Sequence, residues 1–155
     1  MKTAELFALA CELGARLAAP NNKAAHRALR EYGIQLGTAY QIYDDCLDLF
    51  GKEAQAGKSL GTDLATGKAT LPVITLLESA DEIEHKAWLA MLKEGEAKTD
   101  SIREGLVDRQ IPASCREVVE GYIDRANSSV SNLQSAKALH GLSACLTAQL
   151  CSLSE

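Results

Sequence analysis

Apolar residues recur at helical spacing along most of the chain, and no stretch alternates convincingly at period two. Between Lys2 and Ala19, Leu6, Leu9, Leu13 and Leu17 fall three and four positions apart, which predicts an amphipathic helix ended by Pro20-Asn21-Asn22. Small residues (Ala4, Ala8, Ala10, Gly14, Ala15) would let a neighbouring helix approach it closely. Asn22 is a suitable N-cap for a long second helix to about Phe50, with Ala25, Leu29, Tyr32, Leu36, Tyr40, Tyr43 and Leu47 as its apolar stripe. Gly33 and Gly37 weaken that helix by about 1 kcal/mol each relative to Ala, so tertiary packing must hold it.

Periodicity then lapses. From Gly51 to Gly67 the chain reads as a surface loop punctuated by Gly51, Gly57, Gly61 and Gly67. At about 17 residues it is too long for a mere connection. Thr70-Leu71-Pro72 restarts a short helix to Ser79, another runs from Asp81 to Lys93 with acids in its first turn, and a third covers Asp100 to Arg109. Pro112 to Leu150 reads as two helices broken near Gly141. The expected class is all-α, without internal repeats.

Composition narrows the setting. The 155 residues, 46% hydrophobic and 24% charged, suit one helical domain spanning 1–155. A net charge of −5 excludes general attraction to nucleic acid or anionic lipid, so basic chemistry must be local. No apolar run approaches the roughly 18 residues of a transmembrane helix. Glu5 and Glu12 interrupt the N-terminal apolar stretch, unlike a signal peptide, and the expected location is cytoplasmic. The five cysteines show no C-x-x-C spacing and are expected as reduced, small buried groups.

The chemistry concentrates between Ile34 and Pro72. On a helix Gln41, Asp44, Asp45 and Asp48 occupy i, i+3, i+4 and i+7 and share one face. A solvated acidic face is one reading and a cation site the other. Acids in the last turns of a helix oppose its dipole by about 0.3–1 kcal/mol each and repel one another, which favours a cation to offset them. Carboxylate oxygens select a hard ion, Mg²⁺ first. Lys58 and Lys68 follow in a glycine-rich loop, so acids for a metal precede bases for a diphosphate.

The run G-x-A-Y-Q-I-x-D-D-x-L-D, followed by G-K-x-x-G-x-D-L-x-x-G-K-x-T-L-P, resembles the second aspartate-rich motif and downstream loop of the trans-type polyprenyl diphosphate synthases. Lys2-Thr3-Ala4-x-Leu6-Phe7 resembles their K-T motif. The resemblance covers essentially the whole chain but only the C-terminal half of the family's pattern. It implies the C-terminal half of the isoprenoid synthase helical bundle and a Mg²⁺-dependent prenyltransferase that condenses an allylic diphosphate with isopentenyl diphosphate. By the same resemblance, Asp44, supported by Asp48 and shaped by Asp45, would bind Mg²⁺. Lys2 and Lys58 would contact the allylic diphosphate, and Lys68 would lie at the edge of that site. Thr3 and Gln41 would set oxygen dipoles beside the allylic cation. Tyr40, where the family usually has Phe, would stand near the homoallylic substrate.

The family's first aspartate-rich motif and the basic residues that hold isopentenyl diphosphate have no counterpart here. The expectation is therefore a C-terminal fragment beginning at an internal methionine, inactive alone. The alternative is a non-catalytic or half-enzyme subunit that completes its bundle with another chain. Either leaves apolar surface exposed and predicts self-association, most simply a homo-oligomer. Glu82-x-x-His85 matches half of a di-iron motif that has no second copy, the histidines read as surface residues, and Trp88 reads as core. A terpene cyclase would share the fold but not the Lys58 to Lys68 loop.

Overall fold

Why these residues form helices is visible at the helix ends. Asn22 Oδ1 accepts the Ala25 N–H at 3.0 Å, and Asp81 forms a capping box with Glu84. The computed structural model describes residues 2–51, 60–134 and 136–152, and every regular element among them is helical. In chain order these are α1 (Lys2–Ala18), α2 (Lys23–Phe50), α3 (Thr62–Ala65), α4 (Leu71–Glu78), α5 (Glu82–Lys93), a 3₁₀ turn (Gly95–Lys98), α6 (Thr99–Asp108), α7 (Ile111–Val130) and α8 (Ala136–Ser152). None of the described helices is long and apolar enough to cross a membrane. The chain divides into two compact units, Met1–Gln41 with Glu117–Glu155 and Ile42–Arg116, whose boundaries fall inside α2 and α7.

The first unit is built on close approach of α1 and α2. A Cβ placed on Gly33 would stand 2.6 Å from Ala8 Cα, and one on Gly37 would stand 2.8 Å from Ala4 Cα. Only glycine permits that spacing. Ala4, Ala8 and Ala15 are consequently the buried residues of α1, while Leu6, Leu9, Leu13 and Leu17 face outward, Leu17 at 84% exposure. Tyr32 is fully buried and donates its hydroxyl to the Leu139 carbonyl at 2.7 Å. Val119, Ile123, Ala126 and Val130 of α7, with Leu146 and Leu150 of α8, complete the core.

Helix α7 ends at Val130, about ten residues before Gly141, which sits within α8 with open space around it. Serines cluster at that end. The hydroxyls of Ser128, Ser129 and Ser131 donate back to carbonyls of Asp124, Ala126 and Ser128, and such local bonds compete with helix continuation.

In the second unit Leu64, Val73, Leu76, Ile102, Leu106 and Ile111 pack with Ile42, Cys46, Leu49 and Cys115. Arg109 ties α6 to α4 and α5 by donating to the Ser79 carbonyl at 3.0 Å and to Glu84 at 2.6 Å. Trp88 is half-buried and packs its ring against Gly105, so it is part of the packing, as expected. Two sequence expectations change. Cys145 and Cys151 are exposed free thiols. His26 is buried, with its Nε2 bonded to the Ala19 carbonyl at 2.8 Å.

Candidate functional site

The last turns of α2 bring Asp45 and Asp48 to the loop that follows, and these carboxylates organise it. Asp48 is only 3% exposed. Its carboxylate accepts the Asp63 N–H at 3.0 Å and the Thr62 hydroxyl at 3.2 Å, and its carbonyl accepts the Gly61 N–H at 2.8 Å. Gly61 occupies the N-cap position of α3 with φ 79, a left-handed conformation that suits glycine, and it has no side chain to cap the helix. Asp48 supplies the missing acceptor from another helix, where a negative charge is favoured by the dipole.

Lys68 closes the same loop. Its N–H donates to the Asp63 carbonyl at 2.9 Å, and its ammonium reaches Asp63 at 2.8 Å and Asp45 at 3.1 Å. The hydrogen bond to Asp63, seconded by that to Asp45, pushes the Lys68 pKa up to about 12, so it remains a cation at any ordinary pH. Its side chain is half exposed, which leaves the ammonium accessible to an anion. Asp44 is half-buried in the preceding turn of α2.

The first unit holds a second pair of predicted residues. The Thr3 hydroxyl donates to Gln41 Oε1 at 2.8 Å across 38 positions of sequence. That bond spends the Thr3 proton, so its oxygen can act further only as an acceptor. Lys2 is exposed at the start of α1. Tyr40 stacks on Phe7, with ring centroids 5.7 Å apart. Lys58 lies outside the described residues.

The oxygen donors Asp44, Asp45 and Asp48 have the chemistry of a Mg²⁺ site. Among the described residues, however, no three His, Cys, Asp or Glu side chains form a group that could hold a metal. Asp48 is engaged by α3 and Asp45 by Lys68. The di-iron reading is not supported: Glu82 pairs with Lys86 at 2.8 Å, and His85 Nδ1 bonds the Leu77 carbonyl at 2.9 Å.

Asp63 is the loop residue that sequence reasoning did not assign. It lay in view within G-x-D-L-x-x-G-K, but its pairing with Lys68, five positions on, follows no regular-element spacing. The loop backbone creates it.

Residues 1–108 match the polyprenyl synthetase family. Heptaprenyl diphosphate synthase component 2 of Bacillus subtilis is 32% identical over 143 residues, covering 92% of this chain and 40% of the relative. Among solved structures, the polyprenyl synthase of Caulobacter crescentus, crystallised with calcium and isoprenyl diphosphate, matches with TM-score 0.83 and 32% identity over 96% of this chain and 46% of that one. The decaprenyl diphosphate synthase of Rhodobacter capsulatus gives TM-score 0.83 and 30% identity over 96% of this chain and 47% of its own. The chain thus spans less than half the length of these relatives, and its all-α fold is that of the matching part of an isoprenoid synthase. On the match over residues 1–108, the chain belongs to the polyprenyl synthetase family.

Proposed function

We propose that this chain carries the second-aspartate part of a prenyltransferase that joins an allylic diphosphate to isopentenyl diphosphate, and that it is inactive until further residues complete the site. The observation that supports this best is the loop in which Lys68 pairs with Asp45 and Asp63 while the Asp48 carboxylate holds the Asp63 N–H. It sets a permanent cation beside acids in the motif that the family resemblance singles out. Asp44, with Asp48 in support, would hold Mg²⁺, which supplies charge neutralisation to the departing diphosphate. Lys2, Lys58 and Lys68 would hold the diphosphate as point charges. Thr3 and Gln41, hydrogen-bonded to each other, would turn oxygen lone pairs toward the developing allylic cation. Tyr40 would flank the second substrate.

The outward leucines of α1 support the view that the bundle is incomplete. They equally favour the alternative of a half-enzyme subunit working with a second chain, and under either reading self-association of the isolated chain is expected. The expected location remains the cytoplasm.

Two measurements test this. Mg²⁺ with inorganic diphosphate should raise the melting temperature of the wild-type chain beyond the shift that diphosphate gives in EDTA, and Asp44→Ala should lose that Mg²⁺-dependent increment. Labelled isopentenyl diphosphate should not be incorporated by this chain alone. Incorporation would overturn the incompleteness, and equal Mg²⁺-dependent increments in the two proteins would overturn the metal assignment. Co-purification with a chain carrying the first aspartate motif would identify the subunit form.

A further inference from the structure

The opposite end of α2 carries a second, unassigned cluster. A cleft of about 240 Å³ is lined by Glu12, Arg16, Pro20, Lys23, His26, Arg27 and Arg30. Its acids are already shared: Glu12 binds Arg16 at 2.6 Å and Arg30 at 3.3 Å, and Glu5 binds Arg30 at 2.7 Å. Among the described residues Lys23 and Arg27 have no such partner. Glu31, one turn from Arg27, instead accepts the Gln35 amide at 2.6 Å. The first turn of α2 has no acid at all. Two uncompensated cations therefore stand at the positive end of a helix dipole, in a chain of net charge −5.

Lys23, in the first turn, opposes the dipole, and Arg27, four residues on, repels it as a like charge. The buried His26 ring, bonded to the carbonyl of Ala19 just beyond α1, fixes the cleft between the two helices. From this cavity, this charge excess and this fixed wall we propose that the base end of α2 binds a phosphate-type polyanion of the size of phosphate or diphosphate. The guanidinium fork of Arg27 matches phosphate oxygens bidentately, and Lys23 adds a point charge. The cleft is smaller than the roughly 300–1,000 Å³ of sites for drug-sized ligands, which limits the bound group to a phosphate or diphosphate head. This site is separate from the aspartate loop and needs no metal.

The test is calorimetric titration of the full chain with inorganic diphosphate in EDTA, at about 0.1 M chloride to screen diffuse attraction. The Lys23→Ala/Arg27→Ala double variant should lose affinity by about tenfold or more, with an unchanged far-UV spectrum, whereas Lys137→Ala, a single-charge control on α8, should bind as the wild type does. Titration with ADP separates the sources: affinity equal to diphosphate marks a head-group reader, and weaker affinity marks a site for the free anion. Affinity unchanged in the double variant would overturn the proposal. So would loss confined to Lys68→Ala, which would assign the diphosphate to the aspartate loop and leave the prenyltransferase reading intact.

Discussion

Gly33→Ala places two effects of opposite sign in direct competition. Local propensity favours the change, since Ala in a helix is better than Gly by about 1 kcal/mol. Packing opposes it. The new Cβ would lie 2.6 Å from Ala8 Cα, 2.6 Å from Phe7 O and 2.7 Å from Ala8 N, all backbone atoms that no rotamer change can move. Ordinary carbon contacts lie near 3.5–4.0 Å, so α1 must retreat by about 1 Å, and a gap of that size forfeits a quarter to a half of the dispersion energy along the seam. Overpacking of this kind costs about 1–3 kcal/mol, and rigid neighbours put it at the upper end. The net is a loss of about 2 kcal/mol, or a fall in Tm of about 4–8 °C for a chain of this length. Gly14→Ala is the matched control, because nothing lies within 4 Å of its Cβ position and only the propensity gain remains. Urea unfolding followed by far-UV circular dichroism, with thermal melts alongside, reads both. Should Gly33→Ala be as stable as Gly14→Ala, the close approach of α1 and α2 is refuted.

Two further outcomes follow from the loop. Asp48→Ala leaves the Asp63 N–H and the Thr62 hydroxyl without their acceptor, which should destabilise by about 1–3 kcal/mol in urea titrations. Asp48→Asn, which keeps one acceptor oxygen, should recover part of that loss, and failure to recover any would point to charge and not capping. Lys68 has a raised pKa, so its ion pairs contribute fully below its ordinary value of 10.5 and fade as pH climbs through about 12. Its Nζ resonance should therefore stay flat between roughly pH 6 and 9, and an inflection in that window would contradict the pairing with Asp63 and Asp45.

How much was legible in the sequence depends on whether a feature is local. The Asn22 and Asp81 caps, the short helix after Thr70 and the alanines of α1 follow from short-range chemistry, and each is present. The outward turn of Leu6, Leu9, Leu13 and Leu17 was not legible. A leucine stripe and a small-residue stripe on one helix are both packing faces, and only Gly33 and Gly37 on the facing helix decide between them. The break after Val130 is not legible from glycine, because Gly141 sits inside α8 with open space around it. Of the residues singled out in the sequence, the structure brings Asp45 to Lys68 and Thr3 to Gln41. What could not be read is that Asp48 turns inward to cap α3 and that Asp63 is the first partner of Lys68. Both depend on how a loop folds back on the helix before it.

Helix α2 joins these observations. Its first turn holds no acid and its last turn no base, while Lys23 and Arg27 lie near the start and Asp44, Asp45 and Asp48 near the end. Lys23 in the first turn and Asp48 in the last each oppose the dipole by about 0.3–1 kcal/mol in the isolated helix, and Arg27, Asp44 and Asp45 stand a turn farther in, where they add mainly like-charge repulsion. Two glycines inside it add about 2 kcal/mol more. A helix so disfavoured in isolation persists because tertiary packing holds it, through the glycine seam with α1 and the buried Tyr32. Once packing carries the helix, its two ends are free to be charged for binding and not for stability. Under the proposed function the acid end is charged for metal and diphosphate, with Lys68 paired to Asp45 beside it. The base end meets it through a cleft whose cations outnumber its acids, and titration of that cleft with diphosphate asks whether the same reasoning holds at both ends of one helix.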